Sequence, residues 1–280
     1  MSGQSDEFDG SLEPSDLAII GLGIVLLGAV GWHMMLSCLQ LVRSFRSADN
    51  IWERSRSSKR ATVRGREFVF HQQYREAGMG VGSALWDGSV ILSEYLMREC
   101  DIKGKRVLVV GAGLGLEAMA AAIAGAAEVL CTDGDELLLP LTRENIASNL
   151  STEEAKTIEV KALLWGQEDH MEMAKQWGAK GPFDVILAAD VVYESSINMG
   201  TMMQAYEGLF ETFLNLSTSK TLILLAYKER FATEPLFFNV MNEYFLSEKV
   251  DLPDGMLTPM QAESGTRVFR YTKKSGEGTK

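Results

Sequence analysis

Residues 107–117 read VLVVGAGLGLE, and this stretch decides the fold. Its four consecutive aliphatic residues are typical of a strand that is buried on both faces. Three glycines follow, Gly111, Gly113 and Gly115, and an alanine-rich helical pattern begins directly after them. The stretch predicts a strand, a glycine loop and a helix. The loop is either a plain tight turn or a place where the backbone approaches a ligand closely, since glycine has no Cβ and accepts positive φ.

From residue 67 onward, short apolar runs alternate with helical patterns. The runs include EVLCTD (128–133), FDVILAAD (183–190) and TLILLAYK (221–228), and each predicts a buried strand. Alternation of this kind predicts an α/β fold, a Rossmann-like and mainly parallel sheet with helices on both faces. Because such sheets bind ligands at the carboxyl ends of their strands, functional residues are expected just after the strands.

The glycine spacing and a downstream acid indicate the ligand. A dinucleotide fingerprint requires G-x-G-x-x-G, and Leu116 occupies the position of its third glycine. The G-x-G-x-G spacing instead favours S-adenosylmethionine. Asp133 lies 22 residues after Gly111, at the end of the next strand, where its carboxylate could accept hydrogen bonds from two ribose hydroxyls. Alternatively, Asp133 or Asp135 could cap the helix that follows.

Several linked motifs resemble the methyltransferase-like 21 group of seven-β-strand protein-lysine methyltransferases, within the methyltransferase 16 family. In chain order they are LWDGSVILSEYL (85–96), GKRVLVVGAGLGLEA (104–118), CTD (131–133), LLWG (163–166), AADVVY (188–193) and LLAYKER (224–230). The resemblance extends over residues 68–273. It implies a seven-stranded class I methyltransferase fold with S-adenosylmethionine as cofactor. It also implies methylation of the ε-amine of a lysine in a protein substrate by in-line displacement.

The resemblance implies roles for individual residues. Trp86 and the glycine loop would contact the methionine end of the cofactor, Asp133 the ribose, and Trp165 the adenine. The predicted cofactor-binding residues are therefore Trp86, Gly111, Ala112, Gly113, Gly115, Asp133, Trp165 and Ala189. Without the resemblance, either tryptophan could simply belong to the core.

Asp190 and Tyr193, in the AADVVY motif, are predicted as the catalytic residues. By resemblance, Asp190 would orient the substrate amine and Tyr193 would form a wall of the lysine channel. Taken alone, Asp190 could cap a helix and Tyr193 could be a core residue. Tyr227 and Lys228, after the next strand, are predicted to line the substrate side.

One position departs from the family pattern. In many members the residue two positions before the first glycine is acidic and helps to hold the methionine ammonium, whereas this chain has Val109. Asp87 or Glu117 could supply the missing charge, and the sequence does not choose between them. Two alternative functions stay open at this stage: a methyltransferase for small-molecule amines, and a catalytically weak, membrane-anchored interaction module.

The amino-terminal part of the chain predicts a membrane anchor. Residues 17–42 contain no formally charged side chain and exceed the ~18 residues that mark a spanning helix. They are preceded by an acidic tail, residues 1–16, and followed by a basic juxtamembrane linker, residues 43–66. Because positive residues favour the cytosolic side, we expect a single-pass membrane protein whose methyltransferase domain, residues 67–280, faces the cytosol.

Charge and cysteine content restrict the partners. Residues 67–280 carry 19 bases and 31 acids, a balance that disfavours nucleic acid and suits a protein with an accessible lysine. The three cysteines, Cys38, Cys100 and Cys131, form no C-x-x-C pair, and the chain has only three histidines. The sequence therefore predicts no metal site.

Overall fold

The computed structural model describes residues 58–73, 80–178, 181–193, 199–230 and 234–275. The predicted acidic tail, the predicted membrane helix and the linker up to residue 57 lie outside these ranges. Within them, no helix is both long and apolar enough to cross a bilayer.

The described residues form nine strands and eight α-helices. The strands are β1 (Ser58–Val63), β2 (Arg66–His71), β3 (Arg106–Val110), β4 (Glu128–Asp133), β5 (Ile158–Ala162), β6 (Val185–Ala189), β7 (Leu222–Tyr227), β8 (Phe245–Lys249) and β9 (Arg267–Lys273). The helices are α1 (Asp87–Glu99), α2 (Leu116–Ile123), α3 (Leu139–Asn149), α4 (Thr152–Ala155), α5 (Glu168–Gly178), α6 (Met199–Leu216), α7 (Pro235–Tyr244) and α8 (Pro259–Glu263). A 3₁₀ turn, Val81–Ser83, precedes α1.

Seven strands form one sheet in the order β5-β4-β3-β6-β7-β9-β8. The first five in this order are parallel, and β9 runs antiparallel to both of its neighbours. This arrangement confirms the predicted mainly parallel sheet of seven strands. From β3, the chain adds β4 and then β5 on one side of the sheet. It then crosses back to place β6 on the other side of β3, followed by β7. The switch point of the sheet is therefore between β3 and β6, where open α/β sheets bind their ligands.

The sheet is buried on both faces, which explains its uninterrupted apolar runs. On β3, Val107 and Val109 pack into one hydrophobic cluster together with residues of α1, α2 and α3. Leu108 and Val110 pack into a second cluster with residues of α5, α6 and α7. The two clusters lie on opposite faces because successive side chains of a strand alternate in direction. The predicted helices on both faces are thus confirmed.

The differences from the predicted elements lie mostly in polar segments. Strand β1 lies in the stretch 43–66 that was predicted as a linker, where Lys59 and Arg60 obscure the alternating pattern. Helix α5 was not predicted, because its sequence EDHMEMAKQWG is largely polar.

Two asparagines on α3 hold the β1–β2 hairpin. The side-chain amide of Asn149 accepts a hydrogen bond from Val69 N (2.8 Å) and donates one to Val69 O (2.9 Å). Asn145, one helical turn earlier, does the same with His71 N (2.8 Å) and His71 O (3.1 Å). The two amides therefore pair with the edge of β2 as a neighbouring strand would. They fix the position of β2. Gln72, the residue after β2, then accepts a hydrogen bond from Leu85 N (2.7 Å), the residue before Trp86.

Replacing Asn145 by alanine is expected to lower the free energy of unfolding by about 1–3 kcal/mol, because both backbone groups of His71 lose their partner. Asn145 is fully buried, so the loss cannot be relieved without rearrangement. Urea unfolding measures the change, with the same dependence of the unfolding free energy on urea concentration applied to both proteins. Arg60→Gln serves as the control: it removes an exposed ion pair with Glu67 (2.9 Å) and should cost less than about 1 kcal/mol. Equal stability of Asn145→Ala and the parent protein would contradict the pairing.

Candidate active site

The glycine loop lies at the carboxyl end of β3 in a conformation that requires glycine. Gly111, Gly113 and Gly115 all have positive φ, between +53° and +88°. A Cβ on Gly111 would lie 2.6 Å from Val191 Cγ1 and 3.3 Å from Trp165 Cζ2, and a Cβ on Gly113 would lie 3.0 Å from Gly82 O. The loop is therefore enclosed by the ends of β5 and β6 and by the 3₁₀ turn.

Asp133 ends β4 and holds the loop from the side. Its Oδ2 accepts a hydrogen bond from Gly113 N (2.9 Å), and its Oδ1 accepts one from Asp135 N (3.0 Å). Burial raises the pKa of Asp133, while the hydrogen bonds from these backbone groups favour its ionised form. Each oxygen keeps a further lone pair, so the carboxylate could still accept hydrogen bonds from a diol.

Neither Asp133 nor Asp135 caps the following helix, which was the alternative from sequence. Helix α3 begins at Leu139, its N-cap residue is Leu138, and no side chain caps it. Asp135 instead accepts hydrogen bonds from Leu137 N (3.0 Å) and from Gly80 N (3.4 Å). The two acids thus organise the loop between β4 and α3.

The two predicted tryptophans lie on different sides of the site. Trp165 follows β5, and its ring reaches Gly111. Its indole N–H is buried and has no hydrogen-bond acceptor among the described residues. Trp86 immediately precedes α1, and its indole N–H donates to Val81 O (2.9 Å). The unsatisfied N–H of Trp165 is unusual for a buried group and marks a place where a ligand acceptor could bind.

Asp190 connects three parts of the fold directly after β6. Its backbone has φ = +54°, and its N–H donates to Ala226 O on β7 (2.9 Å). Its Oδ2 accepts a hydrogen bond from Gly88 N in the first turn of α1 (2.8 Å). Its Oδ1 accepts one from Arg230 Nη2 (2.5 Å). A non-glycine residue with positive φ is uncommon, and such strain is concentrated at functional sites.

Arg230 is a member of this group that the sequence interpretation missed. Its guanidinium forms the ion pair with Asp190, whose side chain is only 5% exposed, and lies 5.4 Å from the centre of the Trp86 ring. Arg230 was present in the quoted LLAYKER motif, but the prediction selected Tyr227 and Lys228. Tyr227 instead donates its hydroxyl to Glu234 Oε2 (2.6 Å) at the start of α7.

Tyr193 follows β6, four residues after its end, and is largely enclosed. Burial raises the pKa of its hydroxyl, and the negative charges of Asp133 and Asp135 raise it further. The hydroxyl therefore stays protonated at neutral pH and can donate or accept a hydrogen bond. Its predicted role as a channel wall stays a prediction.

Glu117 is a buried acid in the first turn of α2, directly after the glycine loop. It is 1% exposed, and its Oε2 has no partner among the described residues. Its pKa is raised to about 7, and burial is the largest cause. A hydrogen bond with the Ser89 side chain lowers the pKa, whereas the charges of Asp190 and Asp133 raise it. Three carboxylates thus converge at the switch point of the sheet.

The structure brings the predicted site residues together. The glycine loop, Asp133, Trp165 and the Ala189–Asp190 corner lie at the carboxyl ends of β3, β4, β5 and β6, as expected for this fold. Trp86 joins them through Arg230 and Asp190. The arrangement places a glycine loop, a buried carboxylate, an aromatic side chain and a buried ion pair at one edge of the sheet.

Comparisons with known proteins agree with this geometry. A family model described as lysine methyltransferase matches residues 67–244. Protein N-lysine methyltransferase METTL21A of Danio rerio is 31% identical over 195 residues, which cover 69% of this chain and 81% of the relative. The METTL21A protein of Mus musculus is 32% identical over 180 residues, covering 64% and 74% of the two chains.

Solved structures support the fold. SMU.776, a protein assigned as a methyltransferase and crystallised with SAH, matches with a TM-score of 0.53 and 15% identity over 77% of this chain and 56% of that one. The 16S rRNA N2 G1207 methyltransferase RsmC of T. thermophilus, in complex with AdoMet and guanosine, matches with a TM-score of 0.50 and 18% identity over 78% and 50%. The class I methyltransferase fold is therefore confirmed, and so is the family that the linked motifs predicted. The chain belongs to the lysine methyltransferase family.

Proposed function

We propose that this chain is an S-adenosylmethionine-dependent protein-lysine N-methyltransferase. The observation that carries the proposal is the contact between the glycine loop and the segment after β6. Val191 packs against Gly111, and Asp190 is its direct neighbour in the chain. A cofactor lying along the loop and a substrate amine oriented by Asp190 would therefore meet at one place.

The residues of the site fit the cofactor. The glycine loop lies at the carboxyl end of β3, at the switch point of the sheet where such folds bind their ligands, and Asp133 beside it has lone pairs available for the ribose hydroxyls. Trp165 would flank the adenine, and its unsatisfied indole N–H could donate to it. Trp86, Ala112 and Ala189 complete the proposed lining. When bound, S-adenosylmethionine supplies an electrophilic methyl group on a sulfonium.

The Asp190–Arg230 ion pair is compatible with a substrate lysine that must lose its proton before it reacts. A lysine must attack as a neutral amine, yet its unperturbed pKa is about 10.4. An unpaired carboxylate beside the amine would favour the charged ammonium and so oppose deprotonation. Arg230 offsets that charge, so that Asp190 could orient the amine through an oxygen lone pair without holding the proton on it. The remaining contribution of the protein is alignment of the amine with the methyl group.

A protein substrate is favoured over a small amine. The relatives that match over most of their length are named protein N-lysine methyltransferases. The excess of acids in residues 67–280 would also attract a basic segment that carries the target lysine.

Asp190→Asn is expected to reduce methylation by about 10²-fold, because the substrate amine loses its acceptor and alignment. The variant keeps an oxygen to accept the hydrogen bond from Gly88 N, so α1 should remain in place. Full-length protein in detergent, labelled S-adenosylmethionine and a cell lysate provide the assay, and calorimetry with S-adenosylhomocysteine should show unchanged cofactor binding.

The control for this experiment is Asp184→Asn. Asp184 directly precedes β6, the strand that Asp190 follows. Its carboxylate also accepts a backbone hydrogen bond, from Arg106 N (2.9 Å). It should leave methylation intact. Full activity of Asp190→Asn would overturn the assignment of Asp190, and label that appears only in small molecules would contradict a protein substrate.

Arg230→Gln is expected to move the pH dependence of methylation upward by about one unit. Without the guanidinium, the Asp190 charge raises the pKa of the bound lysine, so the neutral amine forms only at higher pH. The rate under saturating cofactor, measured from pH 7 to 10, reports the shift. Arg267→Gln removes an exposed arginine that faces Glu229 and should leave the profile unchanged. An unchanged profile for Arg230→Gln would contradict the proposed charge balance.

We also propose that residues 17–42 anchor the protein in a membrane with the methyltransferase domain facing the cytosol. The support is the uncharged stretch of 26 residues and the basic residues that follow it. The full chain expressed in cells is expected to stay in the membrane pellet after alkaline carbonate extraction. Deletion of residues 17–42 should release it, and protease added outside sealed microsomes should digest the domain. Release of the intact chain by carbonate would contradict the anchor.

A further inference from the structure

Of the three converging acids, Glu117 is the one with a buried carboxylate oxygen that has no hydrogen-bond partner among the described residues. Asp190 has Arg230, and Asp133 accepts two backbone hydrogen bonds. Glu117 has the Ser89 side chain at its carboxyl group, while its Oε2 is buried without a partner. A buried carboxylate in this state is costly, and it is retained where a cation or donor can bind to it.

Glu117 acts electrostatically on the residue that pairs with Val109, where many family members have an acid. Val109 points to the face of the sheet covered by α2, and its neighbour across the ladder is Cys131 on β4. Burial raises the pKa of the Cys131 thiol, and the next largest cause is the negative charge of Glu117. The charge of Glu117 therefore acts on Cys131, the residue paired with Val109 on the face of the sheet to which an acid at position 109 would point.

Asp87 is the other acid that the sequence left as a candidate. It is the first residue of α1 and is partly exposed, so water can solvate its charge without a ligand. Glu117 follows Gly115 by two residues, and the charges of Asp190 and Asp133, the acids that border the proposed substrate and cofactor positions, contribute to raising its pKa. The structure thus separates the two candidates.

We propose that Glu117 binds the ammonium group of the cofactor's methionine moiety, so that helix α2 supplies the carboxylate that strand β3 lacks at Val109. The inference rests on the proposed function, since it presumes S-adenosylmethionine in the cleft. The ammonium would supply the donor that Oε2 lacks and would balance its charge.

The test compares two ligands on the full-length protein in detergent by calorimetry. S-adenosylhomocysteine carries the amino-acid end, whereas 5′-methylthioadenosine has the same nucleoside and thioether without it. Glu117→Gln is expected to weaken binding of S-adenosylhomocysteine by about 10- to 100-fold, as for loss of a hydrogen bond to a charged group. Binding of 5′-methylthioadenosine should not change.

Moving the acid tests the position directly. The double variant Glu117→Val, Val109→Glu returns a carboxylate to β3 and is expected to recover at least tenfold of the lost affinity for S-adenosylhomocysteine relative to Glu117→Val alone. The matched control is Glu94→Gln, a buried glutamate on α1 that already has the partners Arg64 N and Arg98. It should leave the ratio of the two affinities unchanged.

The pH dependence adds an independent readout. The groups that face Glu117 are Ser89 on α1, Cys131 and Asp133 on β4, and Asp190 after β6. As pH rises from 6 to 8, Glu117 loses its proton, so the affinity for S-adenosylhomocysteine relative to 5′-methylthioadenosine should increase. The ratio cancels the contribution of Asp133, which both ligands would contact through the ribose. In Glu117→Gln the ratio should be flat.

Thermal unfolding without ligand distinguishes a binding group from a structural one. The folded pKa of Glu117, about 7, exceeds the ordinary value of 4.5, so ionisation opposes folding as pH rises from 4.5 through 7. Glu117→Gln should therefore raise the Tm at pH 8, and the gain should shrink toward pH 5. Replacing a well-paired structural carboxylate by its amide would lower the Tm instead, as expected for Glu94→Gln.

The outcomes separate this inference from the proposed function. If the parent protein binds neither ligand, the proposed function fails. If the parent binds S-adenosylhomocysteine and Glu117→Gln binds it equally well, the role of Glu117 is overturned while the function stands. Parallel loss of both ligands in Glu117→Gln would also overturn it, because the effect would then be structural.

Discussion

The contact between Gly111 and Val191 is the constraint on which the rest of the site depends. Strands β3 and β6 are neighbours at the switch point of the sheet, and a Cβ on Gly111 would lie 2.6 Å from Val191 Cγ1. Because the two strand ends pack this closely, the glycine loop and the Asp190 corner are held side by side. A ligand bound by the loop would therefore lie next to a group held by the corner.

The corner itself is held by polar contacts. Asp190 has positive φ, and its carboxylate joins the first turn of α1 to Arg230 after β7. The cost of the strained backbone is offset by a charge-assisted hydrogen bond at each oxygen. Here the sequence interpretation left a choice between a catalytic acid and a helix cap. The geometry shows that Asp190 accepts a hydrogen bond from the first turn of α1, and its catalytic role stays a proposal.

The sequence predicted the parts of the fold that depend on local pattern. The alternation of buried runs and helices gave the parallel sheet, and EVLCTD matches β4 residue for residue. The glycine loop and Asp133 could be located because strand ends are functional in this architecture. The pattern failed where polar residues dominate, as in β1 and α5, whose places are fixed by tertiary partners. Asn145 and Asn149 hold the hairpin of β1, and Trp177 of α5 stacks on Phe183 at 5.3 Å.

Side-chain partners over long distances in sequence were beyond the same reasoning. Arg230 lies 40 residues from Asp190, and no periodicity connects them. The three acids at the switch point show why such partners matter. Asp190 is paired with a guanidinium, and Asp133 accepts backbone hydrogen bonds, although burial still raises its pKa. Of the three acids, Glu117 is the one that keeps an unsatisfied oxygen, and burial raises its pKa to about 7. Burial of the Glu117 charge opposes folding, and a ligand that brings its own positive charge would offset this cost.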